Sequence, residues 1–302
     1  MKLIRLKNCC NLTTNIITNI LNNLNLVNVF NPSYTEFKDH HYISFRANSK
    51  NQFALIESYI IVLDKDYKII IEHNLSKLYF EKYGIKKVND PKICILNKSI
   101  FLSFNTGTHR DGNNIYLAEI NKDMPIPKKC IYKERMLIEK NWGFYTFNKK
   151  LFALYSLSPL VTLEAYSIES DQIKFKTYSK QKANNTFFKG LTIGTNLEKV
   201  KNQYFLIAHE KKFIRKKRIY FGRLICLTLK DKKFKLTKIY PNRYIHSFRS
   251  LFGTIKKRNK NLISCTYFSG FSYKMDQDLI ILSYGINDFN FAFASIPLKS
   301  II

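Results

Sequence analysis

An acidic residue stands alone in front of a strand-like segment in "KKVNDPKICILNKSIFLSFNTG", where Asp90 and Pro91 precede two alternations of apolar and polar residues. An Asp-Pro pair is an ordinary way to open a turn. A carboxyl group held at the start of a strand would also face any pocket that several strand starts enclose, and there it could take part in proton transfer. Whether Asp90 only opens a turn or also takes part in proton transfer therefore depends on the strands and turns around it.

Metal and nucleotide-loop chemistry have little support in the sequence. The six cysteines contain no Cys-x-x-Cys pair, and no histidine lies at zinc-ligand spacing from them, so we interpret them as reduced thiols and expect no metal. The segment "FNTGTHRDGNN" has too few glycines in the right order for a phosphate loop. Arg110 in this segment could still reach the mouth of a pocket and bind phosphate there.

The chain of 302 residues carries a formal net charge of +28. Such a charge attracts nucleic acid, anionic membranes or phosphorylated small molecules. Lysine and arginine are nevertheless spread along the whole sequence, and the heavy use of Lys, Asn and Ile could reflect an AT-rich coding sequence. The densest runs, 211–218 and 255–260, lie between strand-like segments, where a solvated turn is the simplest interpretation and an anion-binding surface or a localisation signal is the alternative.

Apolar and polar residues alternate with a period of two along most of the chain, which predicts β-strands. The hydrophobic share of 45% and the aromatic share of 15% indicate a folded protein and exclude a disordered one. One segment, "TTNIITNILNNLNL", has helical periodicity, with Thr13 or Thr14 as its N-cap. The sequence therefore predicts an all-β fold with a short N-terminal helical or extended lead-in.

Similar units recur along the chain, each with a polar lead-in, a strand, a short turn and a second strand. Their starts at Asn31, Asn89, Asn141 and Lys189 lie roughly fifty residues apart, which is about the length of a propeller blade, and a fifth unit begins at Ser247. We therefore predict a lead-in over residues 1–30 and a single five-bladed β-propeller over 31–302. The inner strands of such a propeller start around one axis, so Asp90 would face a central pocket. A β-sandwich that binds carbohydrate is the alternative fold.

Several motifs, in order, resemble those of the five-bladed propeller family of β-mannoside phosphorylases and hydrolases, which has a β-1,2-mannosyltransferase branch. They are "NPS" with "YISFR", "NDPKI", "EKNWGFYTFNKKLFALYS", "KGLT", "YFLIAHE" and "LSYGINDFNFAFASIPL". The resemblance extends from Asn31 to the C-terminus.

The resemblance implies a role for Asp90 as the single general acid of the family. Inverting hydrolysis needs a second carboxylate to activate water, whereas phosphorolysis does not, because phosphate arrives already anionic. A transferase uses the same geometry, with Asp90 as the base that takes a proton from the acceptor hydroxyl. Both reactions need cations around the phosphate.

The resemblance also implies which residues bind the substrates. Lys140 and His209 match family positions that hold phosphate, and Lys189 stands where the family often has Arg; such charge-assisted donors suit a phosphate group. The hydrolase branch tends to lose these cations, so their presence favours a phosphorylase or a transferase. The residues expected to contact the sugar are Asn31, Arg46, Trp142, Tyr284 and Asp288.

Three positions depart from the family pattern. Asn89 replaces the usual Glu before the catalytic Asp, Lys92 replaces an Arg after Asp-Pro, and "KGLT" replaces "RGG". Lysine cannot form the bidentate fork of arginine, so phosphate affinity or sugar preference would differ from that of the family.

We therefore predict an enzyme that transfers a glycosyl group, β-mannosyl by resemblance, between a glycan acceptor and either a sugar phosphate or a nucleotide sugar. It would need no cofactor other than that co-substrate, with inorganic phosphate as the partner in phosphorolysis. The alternative is a non-catalytic basic propeller that acts as a scaffold or binds nucleic acid or anionic glycans. No apolar run reaches the length of a signal peptide or a membrane span, so we expect a soluble, cytoplasmic protein.

Overall fold

The computed structural model describes residues 2–49, 55–107, 112–120, 125–181, 190–230, 233–252 and 255–301. These residues are mostly in β-strands, as the alternating pattern predicts. None of the helices among them is both long enough and apolar enough to cross a membrane. The strands form three hydrogen-bonded sheets of nine, eight and four strands.

The four-stranded sheet follows the chain order and is antiparallel throughout. Its strands are β2 (Leu26–Phe37), β3 (His40–Ser49), β4 (Ile56–Leu63) and β5 (Ile69–Asn74). We call this run of antiparallel strands the first meander.

The eight-stranded sheet contains two further antiparallel meanders. The second meander is β6 (Asn89–Leu96), β7 (Ser99–Asn105), β8 (Ile115–Ile120) and β9 (Pro127–Tyr132), and the third is β10 (Gly143–Phe147), β11 (Lys150–Leu157), β12 (Leu160–Ile168) and β13 (Gln172–Gln181). A parallel pairing of β9 with β13 joins them into one sheet.

The nine-stranded sheet contains the fourth and fifth meanders. The fourth is β14 (Leu191–Ile193), β15 (Glu198–Val200), β16 (Gln203–Ile214), β17 (Lys217–Lys230) and β18 (Lys233–Ile245), and the fifth is β19 (Leu262–Lys274), β20 (Leu279–Ile286) and β21 (Asn290–Pro297). A parallel pairing of β17 with β19 joins them, and β1 (Leu3–Arg5) pairs in parallel with β18.

Three α-helices accompany the strands: α1 (Leu12–Asn23), α2 (Leu75–Tyr83) and α3 (Phe248–Leu251), with a 3-10 helix at Leu298–Ser300. Helix α1 confirms the predicted N-terminal helix, but Asn11 is its N-cap, and Thr14 is the other member of the capping box. Helix α2 was not predicted. It begins after Asn74, whose side chain caps it, and ends at Gly84 in the left-handed conformation.

The N-terminal segment is part of the packed structure. Ile17 and Leu21 of α1 are buried in one core cluster with Ile281 and Phe293 of the fifth meander. The domain boundary predicted at residue 31 falls inside β2.

Side-chain to backbone hydrogen bonds connect each meander to the next and the last to the first. The Ser33 hydroxyl accepts from the Ile93 N–H at 3.0 Å, and the Asn196 amide donates to the Phe271 carbonyl at 3.1 Å. The ring closes where the Ser269 hydroxyl donates to the Pro32 carbonyl at 2.7 Å. The sheets therefore curl into a nearly closed, propeller-like ring. Because parallel pairings merge the meanders into three sheets, the count of five blades stays a prediction.

Candidate active site

A cavity of about 1040 Å³ lies where the starts of the inner strands meet, and all five meanders contribute to its wall. Six of the residues predicted from the sequence line it. They are Asn31, Arg46, Asp90, Lys140, His209 and Asp288. Residues separated by more than 250 positions in the chain are thus brought to one site by the ring.

Four of the cavity residues have a left-handed backbone: Asn31 (φ 51°), Asp90 (φ 49°), Asn141 (φ 60°) and Asp288 (φ 53°). Asn and Asp tolerate this conformation better than other residues with a side chain, because their short polar groups form local hydrogen bonds. Non-glycine residues in this region are uncommon and tend to cluster at functional sites. The conformation bends the chain at a strand end for Asp90, Asn141 and Asp288 and at an irregularity within β2 for Asn31, and all four residues line the cavity.

The Asp90 carboxylate is held on both of its oxygens. Oδ1 accepts a hydrogen bond from the Arg46 guanidinium at 3.0 Å, and Oδ2 accepts one from the Tyr267 hydroxyl at 3.2 Å. Arg46 also donates to the Asn89 side chain at 2.7 Å and lies over the Phe30 ring. The arginine therefore fixes both members of the "ND" pair.

Asp90 is an anion at neutral pH. Burial alone would raise its pKa, but Arg46, Lys140, Lys92 and the Tyr267 hydroxyl outweigh the burial and lower the pKa to about 2. An ionised carboxylate in a cavity, with one oxygen on a phenol and the other on a guanidinium, is in the protonation state that a general base requires.

Lys92 lies beneath the cavity rather than in its wall. Its side chain is buried, its ammonium donates to the Gly194 carbonyl and it lies 5.7 Å from the centre of the Tyr267 ring. Burial lowers the pKa of Lys92 to about 7, against the attraction of Asp90. Lys92 therefore contributes to the field at Asp90 without being placed to touch a ligand in the cavity.

His209 is a neutral imidazole in this environment. Its Nε2 lies 3.0 Å from the Phe268 carbonyl, which can only accept, so Nε2 carries a proton. Burial, together with Lys92, lowers the pKa of His209 to about 3. The remaining ring nitrogen, Nδ1, is therefore an acceptor. His209 lines the cavity as expected, but it does not supply a positive charge there.

Asp288 and Lys140 complete the charged wall. Burial raises the pKa of Asp288, Asp90 adds to this effect, and Arg46, Lys140 and Arg218 act in the opposite direction. Lys140 is exposed to the cavity and precedes Asn141, whose amide donates to the Ile193 carbonyl at 3.0 Å and to the Tyr267 hydroxyl at 3.1 Å. The cavity thus contains two carboxyl groups in environments that separate their pKa values.

Asn31 is buried, and its Oδ1 has no hydrogen-bond partner among the described residues. It packs against Gly285 so closely that a Cβ on that glycine would overlap Asn31 Oδ1. A buried amide oxygen without a protein partner loses free energy unless another group satisfies it. Asn31 lines the cavity, but this oxygen lies against Gly285 and is itself buried.

Two of the predicted sugar-contacting residues belong to the core instead. Trp142 is 3% exposed and packs against Phe144 and Phe175, while Tyr284 is fully buried and packs against Phe268. Neither lines the large cavity. Burying these large rings stabilises the meanders, which is why they are not available to a sugar there. The predicted phosphate-binding residues Lys189 and Arg110 lie outside the described residues.

Several cavity residues were not assigned to the site from the sequence: Asn141, Tyr267, Lys211, Arg218, Arg258 and Lys260. The last four belong to the two basic runs, for which a solvated turn was the simplest interpretation and an anion-binding surface or a localisation signal the alternative. Their density was the available signal, but only the fold brings the two runs to one cavity. Tyr267 carried no signal, because it is one aromatic residue in an ordinary alternating strand.

The described residues contain no group of three or more His, Cys, Asp or Glu side chains that could hold a metal ion.

The ring of meanders around a charged cavity defines a propeller-like fold, and comparison with known proteins agrees. No protein-family model and no curated protein matches the sequence. Solved structures do match. One is a structure from glycoside hydrolase family 130, a family of mannoside phosphorylases that contains glycoside hydrolases targeting β-1,2-mannosidic linkages in Candida mannan. Its TM-score is 0.62 at 12% identity, and the match covers 90% of this chain and 85% of that chain.

Two further structures show the same likeness. A glycosyl hydrolase from Bacteroides ovatus has a TM-score of 0.62 at 11% identity, over 90% of this chain and 85% of that chain. A mannose phosphorylase from Leishmania mexicana, solved with a phosphate ion, has a TM-score of 0.55 at 11% identity, over 90% and 85% of the two chains. The resemblance that the sequence motifs indicated is confirmed in the fold.

Proposed function

We propose that this protein is a carbohydrate-active enzyme that transfers a glycosyl group, β-mannosyl by resemblance, between a sugar phosphate or a nucleotide sugar and a glycan acceptor. The observation that carries the proposal is the ionised Asp90, held by Arg46 and Tyr267 in a cavity whose wall is rich in cations. In this proposal each meander is one of five blades, and residues 31–302 form the catalytic domain.

Asp90 is the general base for transfer to the acceptor. It takes the proton of the acceptor hydroxyl, directly or through a hydroxyl of the bound sugar, while the acceptor oxygen bonds to the anomeric carbon and the bond from that carbon to the phosphate oxygen breaks. Phosphate leaves with both bonding electrons. In the reverse reaction, phosphorolysis, phosphate attacks and protonated Asp90 supplies the proton to the leaving oxygen; a bound phosphate dianion would favour that protonation by raising the pKa of Asp90.

Lys140 binds the phosphate, because its ammonium is exposed to the cavity and contributes to the field at Asp90. His209 accepts a hydrogen bond through Nδ1, either from a protonated phosphate oxygen or from a sugar hydroxyl. Asn31, Arg46 and Asp288 contact sugar hydroxyls. Lys189 and Arg110 stay in the proposal as predicted phosphate ligands.

A second candidate, inverting hydrolysis, is favoured by one observation. Asp288 provides the second carboxyl group that hydrolysis needs, and burial raises its pKa while that of Asp90 is low. Paired carboxyl groups with separated pKa values are typical of an acid and a base. The cationic wall favours the phosphate-dependent reaction over this one.

The test is to incubate the protein with a β-mannobiose, with and without inorganic phosphate, and to identify the sugar products by chromatography. In the opposite direction, mannose 1-phosphate or GDP-mannose is supplied with mannose, and released phosphate or GDP is measured. We expect mannose 1-phosphate to form only when phosphate is present, or a disaccharide to form from one of the two donors. Free mannose formed equally with and without phosphate would support hydrolysis instead. No product from any combination would contradict the proposal.

A further inference from the structure

Two basic segments that are distant in the chain meet at the mouth of the cavity. Lys211 of β16 and Arg218 of β17 come from one hairpin, and Arg258 and Lys260 come from the loop that precedes β19. All four line the cavity. We call these four residues the basic rim.

The basic rim is held in place by backbone hydrogen bonds. The Arg218 N–H donates to the Asn261 carbonyl at 2.8 Å, and Arg218 pairs with Leu262 in the parallel β17–β19 ladder. On the other side, the Arg258 N–H donates to the Asn287 carbonyl at 3.2 Å, next to Asp288. The backbones of the hairpin and the loop are thus fixed to each other and to the cavity wall, which keeps the four cationic residues together at the cavity.

The cavity has more positive charge than the proposed reaction requires. Among the described residues that line it, six side chains are cationic and two are acidic, so one phosphate dianion leaves two positive charges unbalanced. The six are Arg46, Lys140 and the four residues of the basic rim. Like charges gathered around one cavity destabilise the folded protein unless an anion binds there.

The size of the cavity is consistent with a second anionic group. Ligand sites commonly have volumes of ≈300–1,000 Å³, and this cavity of about 1040 Å³ has room for more than one sugar and one phosphate. Arg46 and Lys140 act on the pKa of both Asp90 and Asp288, whereas Arg218 acts on that of Asp288 and is not among the groups that lower the pKa of Asp90. The basic rim therefore extends the positive charge to the Asp288 side of the cavity.

We propose that the basic rim binds a second phosphate group of the substrate, in addition to the phosphate that reacts. This inference rests on the proposed function, and it defines the substrate class further: the donor or the acceptor carries a phosphate group besides the one that reacts. The second phosphate belongs either to a phosphorylated acceptor glycan or to a nucleoside diphosphate donor. The chemistry of recognition is the same for both sources.

The experiment measures binding by titration calorimetry, so it does not depend on turnover. Two pairs of ligands are compared: mannose with mannose 6-phosphate, and mannose 1-phosphate with GDP-mannose. The rim variant is Lys211→Gln with Lys260→Gln. The control variant is Lys65→Gln with Lys86→Gln, which removes the same charge from exposed positions outside the cavity. Circular dichroism checks that both variants are folded.

We expect the wild-type protein to prefer the second member of at least one pair, and the rim variant to reduce that preference by about tenfold, equivalent to about 1.4 kcal/mol. The control variant should retain the preference, and added salt should weaken it. If the rim variant loses the preference for mannose 6-phosphate over mannose, the second phosphate belongs to the acceptor. If it loses the preference for GDP-mannose over mannose 1-phosphate, the second phosphate belongs to a nucleoside diphosphate donor.

Equal preferences in the wild-type protein and the rim variant, for both pairs, would overturn the inference. So would an equal reduction in the rim and control variants, because it would reflect the overall charge rather than a site. Failure of the proposed function would give a different result: no product would form in the activity assay, while calorimetry would still show binding that depends on the basic rim.

Discussion

A buried carboxyl group and a half-buried one, in different regions of the protein, have opposite pKa shifts. Asp90, in the cavity, has a pKa of about 2, whereas burial raises the pKa of Glu198, between the fourth and fifth meanders, to about 8. Burial disfavours the charged form of both groups. Their neighbours make the difference: Asp90 has Arg46, Lys140 and Lys92 around it.

The contacts of Glu198 within the described part of the chain are neutral. They are the Tyr273 N–H at 3.2 Å and the Asn196 amide at 3.5 Å. A sequence with 50 lysines and arginines thus gives one half-buried acid only neutral hydrogen-bond partners among the described residues, while it places several cations around another acid. The positive charge at the cavity is therefore a local arrangement, and the composition of the chain alone does not account for it.

The largest effect on this comparison is expected from Arg46→Met, which removes the cation bound to Asp90. Without Arg46, the pKa of Asp90 rises from about 2, and the sugar-binding and positioning contacts of the guanidinium are lost. We expect kcat/KM to fall by about 100-fold or more. The acid limb of the pH profile, where activity is lost as Asp90 becomes protonated, should move to higher pH.

A matched control is Arg243→Met, which breaks an ion pair with Glu210 outside the cavity. It should lower the unfolding temperature without moving the pH profile. An unchanged pH profile in Arg46→Met would contradict the assignment of Asp90 as the titrating group.

The second largest effect is expected from Glu198→Gln, which changes how the stability of the protein depends on pH. Because the folded-state pKa of Glu198 is raised to about 8, the wild-type protein loses stability as pH rises from about 4.5 through 8, and the variant lacks this component. At pH 8.5 we expect the variant to be more stable by on the order of 2 kcal/mol, with little difference at pH 4.5. Urea unfolding at the two pH values measures this. A variant that is less stable at pH 8.5 would show that Glu198 has a stabilising partner.

A smaller effect is expected from Tyr267→Phe, which removes the hydroxyl that donates to Asp90 and accepts from Asn141. We expect kcat to fall by about tenfold, in line with the loss of one hydrogen bond to a charged group. The pKa of Asp90 should rise, because a donor to its ionised form is lost. A change in KM alone would indicate a contact with the sugar instead.

The smallest effects are expected on the stability of the protein, when two asparagines with a left-handed backbone are each replaced by glycine. Asn141→Gly removes the hydrogen bonds to Ile193 and Tyr267 and should cost about 1 kcal/mol of stability. Asn148→Gly lies in the exposed turn between β10 and β11, with φ 48°, where glycine is at least as favourable, so we expect a change within about 0.5 kcal/mol. Equal costs in thermal unfolding would mean that the Asn141 side chain contributes nothing beyond its backbone conformation.

The sequence was sufficient to predict most strands, because the alternation of apolar and polar residues has the same period as the pleated strand. Helix α2 was missed although its caps, Asn74 and Gly84, are visible in the sequence, since its nine residues directly follow β5 without a turn. The N-cap of α1 was placed at Thr13 or Thr14, but Asn11 has the same hydrogen-bonding ability and lies earlier.

The candidate site was predictable where a motif contained a polar residue that begins a strand, as for Asp90, or interrupts one, as for Asn31. Trp142 sits beside Lys140 in one motif, yet its side chain turns into the core. The basic rim depends on contacts between segments 40 residues or more apart, such as the pairing of Arg218 with Leu262. No local pattern encodes that pairing.

The most direct measurement is the rate of phosphate release from mannose 1-phosphate in the presence of mannose, compared between the wild-type protein and Asp90→Asn. Asparagine keeps the shape of Asp90 but cannot accept a proton, so we expect kcat to fall by about 10³-fold while circular dichroism shows a folded variant at the assay temperature. Acceptor-dependent release that is equally fast in the folded Asp90→Asn variant would contradict the assignment of Asp90 as the base.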